Sequence, residues 1–238
     1  MCTVSYFKIK DAIIFTSNRD EKKDREKAVF PNVLELENGH VLYFPKDKKA
    51  SGTWFATDDN GNVAILLNGA FQKHKSNPPY KKSRGIVLLD IVKSRDFLQA
   101  FREYGLSGIE PFQLLVFFDK KLMRLLWDGT VKYEFFLNEN ESHLLSSKTL
   151  YNDSIEHDRE KDFRRFQINR NIESGEILNF HKKHKIEKER EIDLSIKEEF
   201  LTVSITQLII KQDKIHFAYH DLTENTIQHK KIEKRSFV

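Results

Sequence analysis

CTVSYFKIKDAIIFTSNRDE, residues 2–21, decides the fold. Residues 3–8 and 12–17 are rich in β-branched and aromatic side chains, and charged Lys10-Asp11 separates them. Two such runs around a two-residue break read as a β-hairpin. A loop at Lys10-Asp11 pairs Ile9 with Ala12, and counting outward brings Cys2 opposite Arg19. The hairpin therefore returns a cation, and Asp20 after it, to the start of the chain. One residue of slip would replace that neighbour by another.

Cys2 is the only cysteine. Once Met1 is removed, this residue carries a thiol and a free α-amine on one carbon. An α-amine titrates at about 7.7–8.0 and can take the thiol's proton, so nucleophile and base share a residue. A cation beside the thiol favours thiolate. A carboxylate beside the α-amine orients it by a charge-assisted hydrogen bond. Arg19 and Asp20 suit these two tasks.

Beyond the hairpin the chain alternates further strands with amphipathic helices. Asn60-Gly61 between residues 54–57 and 62–68 signals a second hairpin, because both residues tolerate positive φ. With these two as the loop, Thr53 falls opposite Asn68, whose amide at a strand end could donate to an oxyanion. More strands are expected at 33–36, 40–44, 112–118, 122–127, 131–136 and 143–147, with a closing hairpin at 200–210 and 214–220. Helical periodicity covers 84–92, 95–104 with Ser94 as its cap, 156–171, and 174–184 with Ser174 as its cap. Residues 181–197 are the most polar stretch and read as a mobile loop or frayed helix. Many strands with helices clustered in the middle and late thirds give an α+β class of helix-covered sheets.

Composition bounds the rest. The 238 residues are 39% hydrophobic and 32% charged, which suits a soluble globular protein with a core. They fit one domain, taken as residues 1–238. The longest apolar runs fall far short of the roughly 20 residues that cross a bilayer. No signal peptide is recognisable, and a single thiol without an internal disulfide fits the cytoplasm. Net charge is +4, and most basic clusters interleave with acids, so no nucleic-acid stripe is expected. His181 and His184 lack a third ligand at metal spacing and read as part of a solvated basic helix. No phosphate-binding glycine loop occurs. Neither metal nor cofactor is expected.

Cys2, Asn18-Arg19-Asp20-Glu21, Gly52-Thr53-Trp54, Leu67-Asn68 and Ser83-Arg84-Gly85 occur in an order that resembles the NRDE family. That family includes the eukaryotic transport and Golgi organisation protein 2. The likeness covers residues 1–130 and includes Pro111-Phe112-Gln113-Leu114-Leu115. It implies kinship with N-terminal nucleophile hydrolases such as bile salt hydrolases and penicillin V acylases. It further implies a four-layer αββα sandwich of two antiparallel sheets. In such enzymes an N-terminal cysteine attacks a non-peptide amide and forms a thioester that water releases. Carried over, Cys2 is the nucleophile, Arg19 and Asp20 support it, and Asn68 is an oxyanion donor. Asn18, Trp54 and Ser147 become candidate contacts to a small-molecule substrate.

The chain also departs from the family's pattern. Leu145-Ser146-Ser147 stands where relatives have Leu-Ser-Asn. Val203, within Leu201-Thr202-Val203-Ser204, stands where they have an arginine, and Ser51 replaces a glycine. These departures favour an alternative: a non-catalytic binding or trafficking protein for a lipid, an acyl thioester or a haem-like ligand. Substrate and oligomeric state stay open on the sequence.

Overall fold

A computed structural model describes residues 2–37, 39–149, 153–168, 172–186 and 200–235. Met1 and residues 187–197 of the polar stretch lie outside the described residues. The chain forms two compact units, Met1–Arg25 with Asn140–Ile232, and Glu26–Glu139 with Glu233–Val238.

The first unit is built on a six-stranded sheet. Its strands are β1 (Cys2–Ile9), β2 (Ala12–Lys22), β10 (His143–Ser146), β11 (Phe200–Ile210), β12 (Lys214–Asp221) and β13 (Thr226–Glu233), in the order β10-β1-β2-β11-β12-β13. The Lys10-Asp11 loop pairs Ile9 with Ala12, and Cys2 meets Arg19. Lys10 takes the positive φ, 48°, that a tight hairpin turn demands. Two helices serve this sheet, α3 (Asp153–Gln167) near β10 and α4 (Ser174–Lys183) across β2 and β11. Phe7 and Ile14 on the sheet meet Phe163, Ile177 and Phe180 on the helices in one buried cluster. Each such side chain contributes about 1.5–3 kcal/mol on burial.

The second unit holds a seven-stranded meander of β3 (Val29–Glu35), β4 (Val41–Lys46), β5 (Phe55–Asp58), β6 (Val63–Asn68), β7 (Phe112–Phe118), β8 (Lys121–Trp127) and β9 (Lys132–Leu137), ordered as in the chain. Helix α1 (Arg84–Val92) packs on β6 and on α2 (Phe97–Glu103). The Gly52-Thr53-Trp54 and Ser83-Arg84-Gly85 segments explain each other here. A Cβ on Gly52 would lie 2.5 Å from the Gly85 carbonyl carbon, and one on Gly85 would lie 2.7 Å from Thr53 O. The two backbones touch, Thr53 N donates to Gly85 O at 3.2 Å, and Ser83 Oγ caps α1 by accepting from Ile86 N. Arg84 then pairs with Glu110 at 2.9 Å and donates to Pro111 O.

Several expectations need correction. The β5–β6 loop is longer than Asn60-Gly61. Phe55 pairs with Ile65 and Thr57 with Val63, so continuing that register sets Thr53 against Leu67 rather than Asn68. The cause is Asp58, whose carboxylate accepts from Asn60 N, Asn62 N and Asn62 Nδ2 and widens the turn. Helix α2 is capped by Asp96, which accepts from Leu98 N and Gln99 N; Ser94 instead receives the Asp96 N–H. Helix α4 has Glu173 as its N-cap, with the Glu176 carboxylate accepting from Glu173 N, so Ser174 is its first helical residue. Strand β13 had no counterpart in the sequence reading. Its Thr226–Glu233 stretch is polar and mostly exposed, as suits an edge strand carrying lysines.

Candidate functional site

Cys2 opens β1 with its backbone opposite Arg19 on β2. On the other side β10 pairs Thr3 with Ser146, and one further step of that register sets Ser147 against Cys2. The hairpin thus places Cys2 between Arg19 and Ser147, both buried. Strand alternation separates Arg19 from its neighbours Asn18 and Asp20. Arg19 shares a face with Ser17, Ser204, Thr206, Tyr219 and Asp221, all buried. Its guanidinium lies 3.7 Å from the Glu21 carboxylate. Burial and Asp221 push the Tyr219 hydroxyl's pKa up, with Arg19 pulling the other way.

Asn18 and Asp20 fall on the helix side. Thr202 Oγ1 donates to Asp20 Oδ1 at 2.5 Å and accepts from Ile186 N at 2.7 Å. Register between β2 and β11 shifts between Thr202 and Ser204, leaving Val203 as the extra residue. Bulges of this kind re-aim side chains and gather next to active sites. Here the bulge lets Thr202 meet Asp20 on one face while Ser204 meets Arg19 on the other.

The same side of the sheet carries residues the sequence reading passed over. His181 is 1% exposed, which overturns its placing on a solvated, frayed helix. Its Nε2 lies 2.7 Å from Ser5 Oγ, and its Nδ1 lies 2.8 Å from Asn18 Oδ1. Asn18 Nδ2 donates to the His181 carbonyl at 3.1 Å, which fixes Oδ1 as the acceptor toward the ring. The ring is therefore the Nδ1–H tautomer, and Ser5 donates to Nε2. Burial pushes its pKa down to about 3, helped by His184 and Arg159, so the ring is neutral at pH 7. The order Ser–His–Asn matches a nucleophilic triad, but Ser5 is 0% exposed and no substrate reaches it. Arg159 on α3, also buried, donates from Nη1 to Thr3 Oγ1 at 2.8 Å and from Nη2 to His184 O at 2.9 Å. The signal was present in the sequence. Ile177, Phe180, His181 and His184 follow the spacing of one helix face, with two apolar members.

In the second unit Asn68 ends β6 opposite Phe112, on the same side of the strand as Leu66 and Ala64. Gly69 N after it donates to Pro111 O at 3.0 Å. Trp54 is buried, and its carbonyl accepts from Leu66 N at 2.8 Å. Among the described residues, no three His, Cys, Asp or Glu side chains gather as a metal site, and no helix is long and apolar enough to cross a membrane.

The family model for Transport and Golgi organisation 2 matches residues 1–235. The chain belongs to that family. No curated protein matches the sequence at a significant level. Among solved structures the fold is similar to a cysteine-to-alanine mutant of conjugated bile acid hydrolase from Clostridium perfringens. That match has a TM-score of 0.64 at 10% identity over 100% of this chain and 97% of the other. An arginine-to-leucine variant of the same hydrolase gives a TM-score of 0.61 at 10% identity, covering 96% and 92%. The Caenorhabditis elegans ortholog of N-acylethanolamine-hydrolyzing acid amidase gives 0.57 at 13% identity, covering 87% and 92%. The family member thus has the α+β fold of N-terminal nucleophile hydrolases, with two antiparallel sheets and four helices among the described residues.

Proposed function

We propose that the protein is an N-terminal cysteine amidohydrolase. After removal of Met1, it cleaves the C–N bond of a non-peptide acyl amide. The single observation that carries this reading is the β1–β2 register, which sets Cys2 directly across from a buried arginine. Two structural neighbours named for hydrolysing amides, a conjugated bile acid hydrolase and an N-acylethanolamine-hydrolyzing amidase, support it.

The Cys2 α-amine takes the thiol proton, and the Arg19 guanidinium favours the thiolate. Sulfur attacks the amide carbon and an oxyanion forms. The α-ammonium returns the proton to the departing nitrogen, the C–N bond breaks and a thioester remains. Water, deprotonated by the same amine, attacks the thioester. The acid leaves, and the proton goes back to sulfur. Asp20 holds the amine through these steps, with Thr202 fixing the carboxylate. Asn18 and Ser147 contact a small-molecule substrate, and the cytoplasm is the working compartment.

Intact mass of the native chain, a pH series of thiol alkylation and a panel of N-acyl amides test the reading together. Loss of Met1, a thiol titrating well below about 8.5 and hydrolysis abolished by Cys2→Ala are expected. Retained Met1 with an ordinary thiol, or hydrolysis that survives Cys2→Ala, refutes it.

A second reading draws on Val203 and Ser147, where relatives carry an arginine and an amide. It makes the protein a binder of a lipid, acyl thioester or haem-like molecule. Its mark is a ligand that copurifies equally with the parent and with Cys2→Ala.

A further inference from the structure

The hairpin end that carries Cys2 is the end that its turn does not close. The turn at Lys10-Asp11 lies at the opposite end, and strand ends open most readily. On its outer side β1 is held by β10, among the described residues, through Thr3–Tyr6. Backbone ladder bonds run across the strands, so a side-chain link set on a diagonal adds a constraint along them. A slide of one residue would replace Arg19 opposite Cys2 by another side chain.

His181 braces this end on a diagonal. Ser5 pairs with Thr16 across the ladder, and Thr3 pairs with Asn18. His181 joins Ser5 on β1 to Asn18 on β2, so its two ring bonds cross the rungs instead of following them. The brace stretches when either strand slides. It is anchored to α4, because Asn18 Nδ2 also holds the His181 carbonyl. All three residues are buried, so water does not compete for these bonds. A phenylalanine there would fill the space and supply no directional link. Arg159 to Thr3, and Thr202 to Asp20, tie the same end at neighbouring points.

We propose that His181 is a positioning residue for Cys2, tying the open end of the hairpin so that Cys2 stays across from Arg19. The proposal rests on the reading of Cys2 as a nucleophile reacting beside Arg19. His181 itself touches neither substrate nor the reacting atoms.

The test compares the full-length parent with His181→Phe and Ser5→Ala. Ser5→Ala removes the β1 link alone and keeps the comparison available where His181→Phe does not fold. Two readouts are taken: the pH profile of iodoacetamide alkylation at the sole cysteine, and amide hydrogen exchange at residues 3–5 and 17–19. His181→Phe is expected to keep the parent's far-UV circular dichroism. It is also expected to slow alkylation at pH 7 by about tenfold or more, as displaced reacting groups do, and to move the profile toward that of an ordinary thiol. Exchange at residues 3–5 is expected to rise in both variants, and kcat on any hydrolysed amide to fall with little change in KM.

Alkylation profiles and exchange rates that superimpose on the parent's in both variants overturn the proposal. A parent thiol with ordinary titration removes the hydrolase reading. The positioning role falls with it, and exchange at residues 3–5 then reports on the strand brace alone: faster exchange in the variants keeps the brace, and unchanged exchange ends it too.

Discussion

Thr202→Val isolates one hydroxyl in the candidate site. Valine keeps the shape and the strand preference of threonine, so the change removes little else. In the parent, Thr202 Oγ1 donates to Asp20 Oδ1 at 2.5 Å and accepts from Ile186 N at 2.7 Å. Asp20 is 0% exposed and Thr202 5%, so water does not replace either bond. Leaving a buried neutral donor unmet costs about 1–3 kcal/mol, and weakening the shell of a carboxylate costs more. The sum is about 2–5 kcal/mol of stability. Thr202→Ser restores both bonds and loses only a methyl group, about 1 kcal/mol. Urea unfolding at pH 7, followed by far-UV circular dichroism, reads both numbers through the midpoint at constant slope. Tryptophan fluorescence is the wrong probe, because both tryptophans, Trp54 and Trp127, belong to the other compact unit. A valine variant within about 0.5 kcal/mol of the parent, or a serine variant no better than valine, would show that the hydroxyl is not what holds Asp20.

Acid destabilises the protein through its buried histidines. Burial lowers the pKa of His181 to about 3 and of His184 and His220 to about 4, below the ordinary 6.5. The unfolded chain therefore binds protons that the folded one refuses, and stability falls as pH drops below about 6.5, by at most about 1.4 kcal/mol per pH unit for His181 and by less for His184 and His220, which solvent screens. A urea midpoint that stays level between pH 6.5 and 5 would contradict this. Gly85→Ala puts a methyl 2.7 Å from Thr53 O, whereas Gly105→Ala meets nothing within 4 Å. The first lowers stability by about 1–3 kcal/mol and the second by less than about 0.5; equal melting temperatures would refute the backbone contact. Phe163→Ala opens a void beside Phe7 and Phe180 and costs about 3–5 kcal/mol in the same urea assay. A loss below about 1 kcal/mol would mean that this cluster does not hold α3 to the sheet.

The first hairpin was legible because its turn is two residues long and both flanking runs are unmistakable strands. That one register placed Cys2 opposite Arg19. The second hairpin was misjudged by one residue because Asp58 acts as a side-chain template for the turn, which the Asn-Gly signal alone does not reveal. His181 was hidden by its neighbours. Lys182 and Lys183 follow it in sequence and are exposed, while His181 continues the stripe of Ile177 and Phe180. The pairing of β2 with β11 could not be read locally at all, since nothing in either strand names its partner. That pairing creates the bulge at Val203 and brings Thr202 to Asp20. The sequence therefore carries the Cys2–Arg19 register, and contacts between distant segments bring Thr202 to Asp20 and His181 to Ser5 and Asn18.

The placing of β2 between β1 and β11 sets a timetable for the ribosome. Asp20 and Thr202 stand 182 positions apart, so the opening ribbon emerges long before its clasp exists. Translation at roughly 5–20 residues per second leaves on the order of 10–40 seconds between the two. A lone two-stranded ribbon is marginal in water. During that interval the Asp20 carboxylate belongs to a nascent chain in which Thr202, its hydrogen-bond donor, has yet to be made.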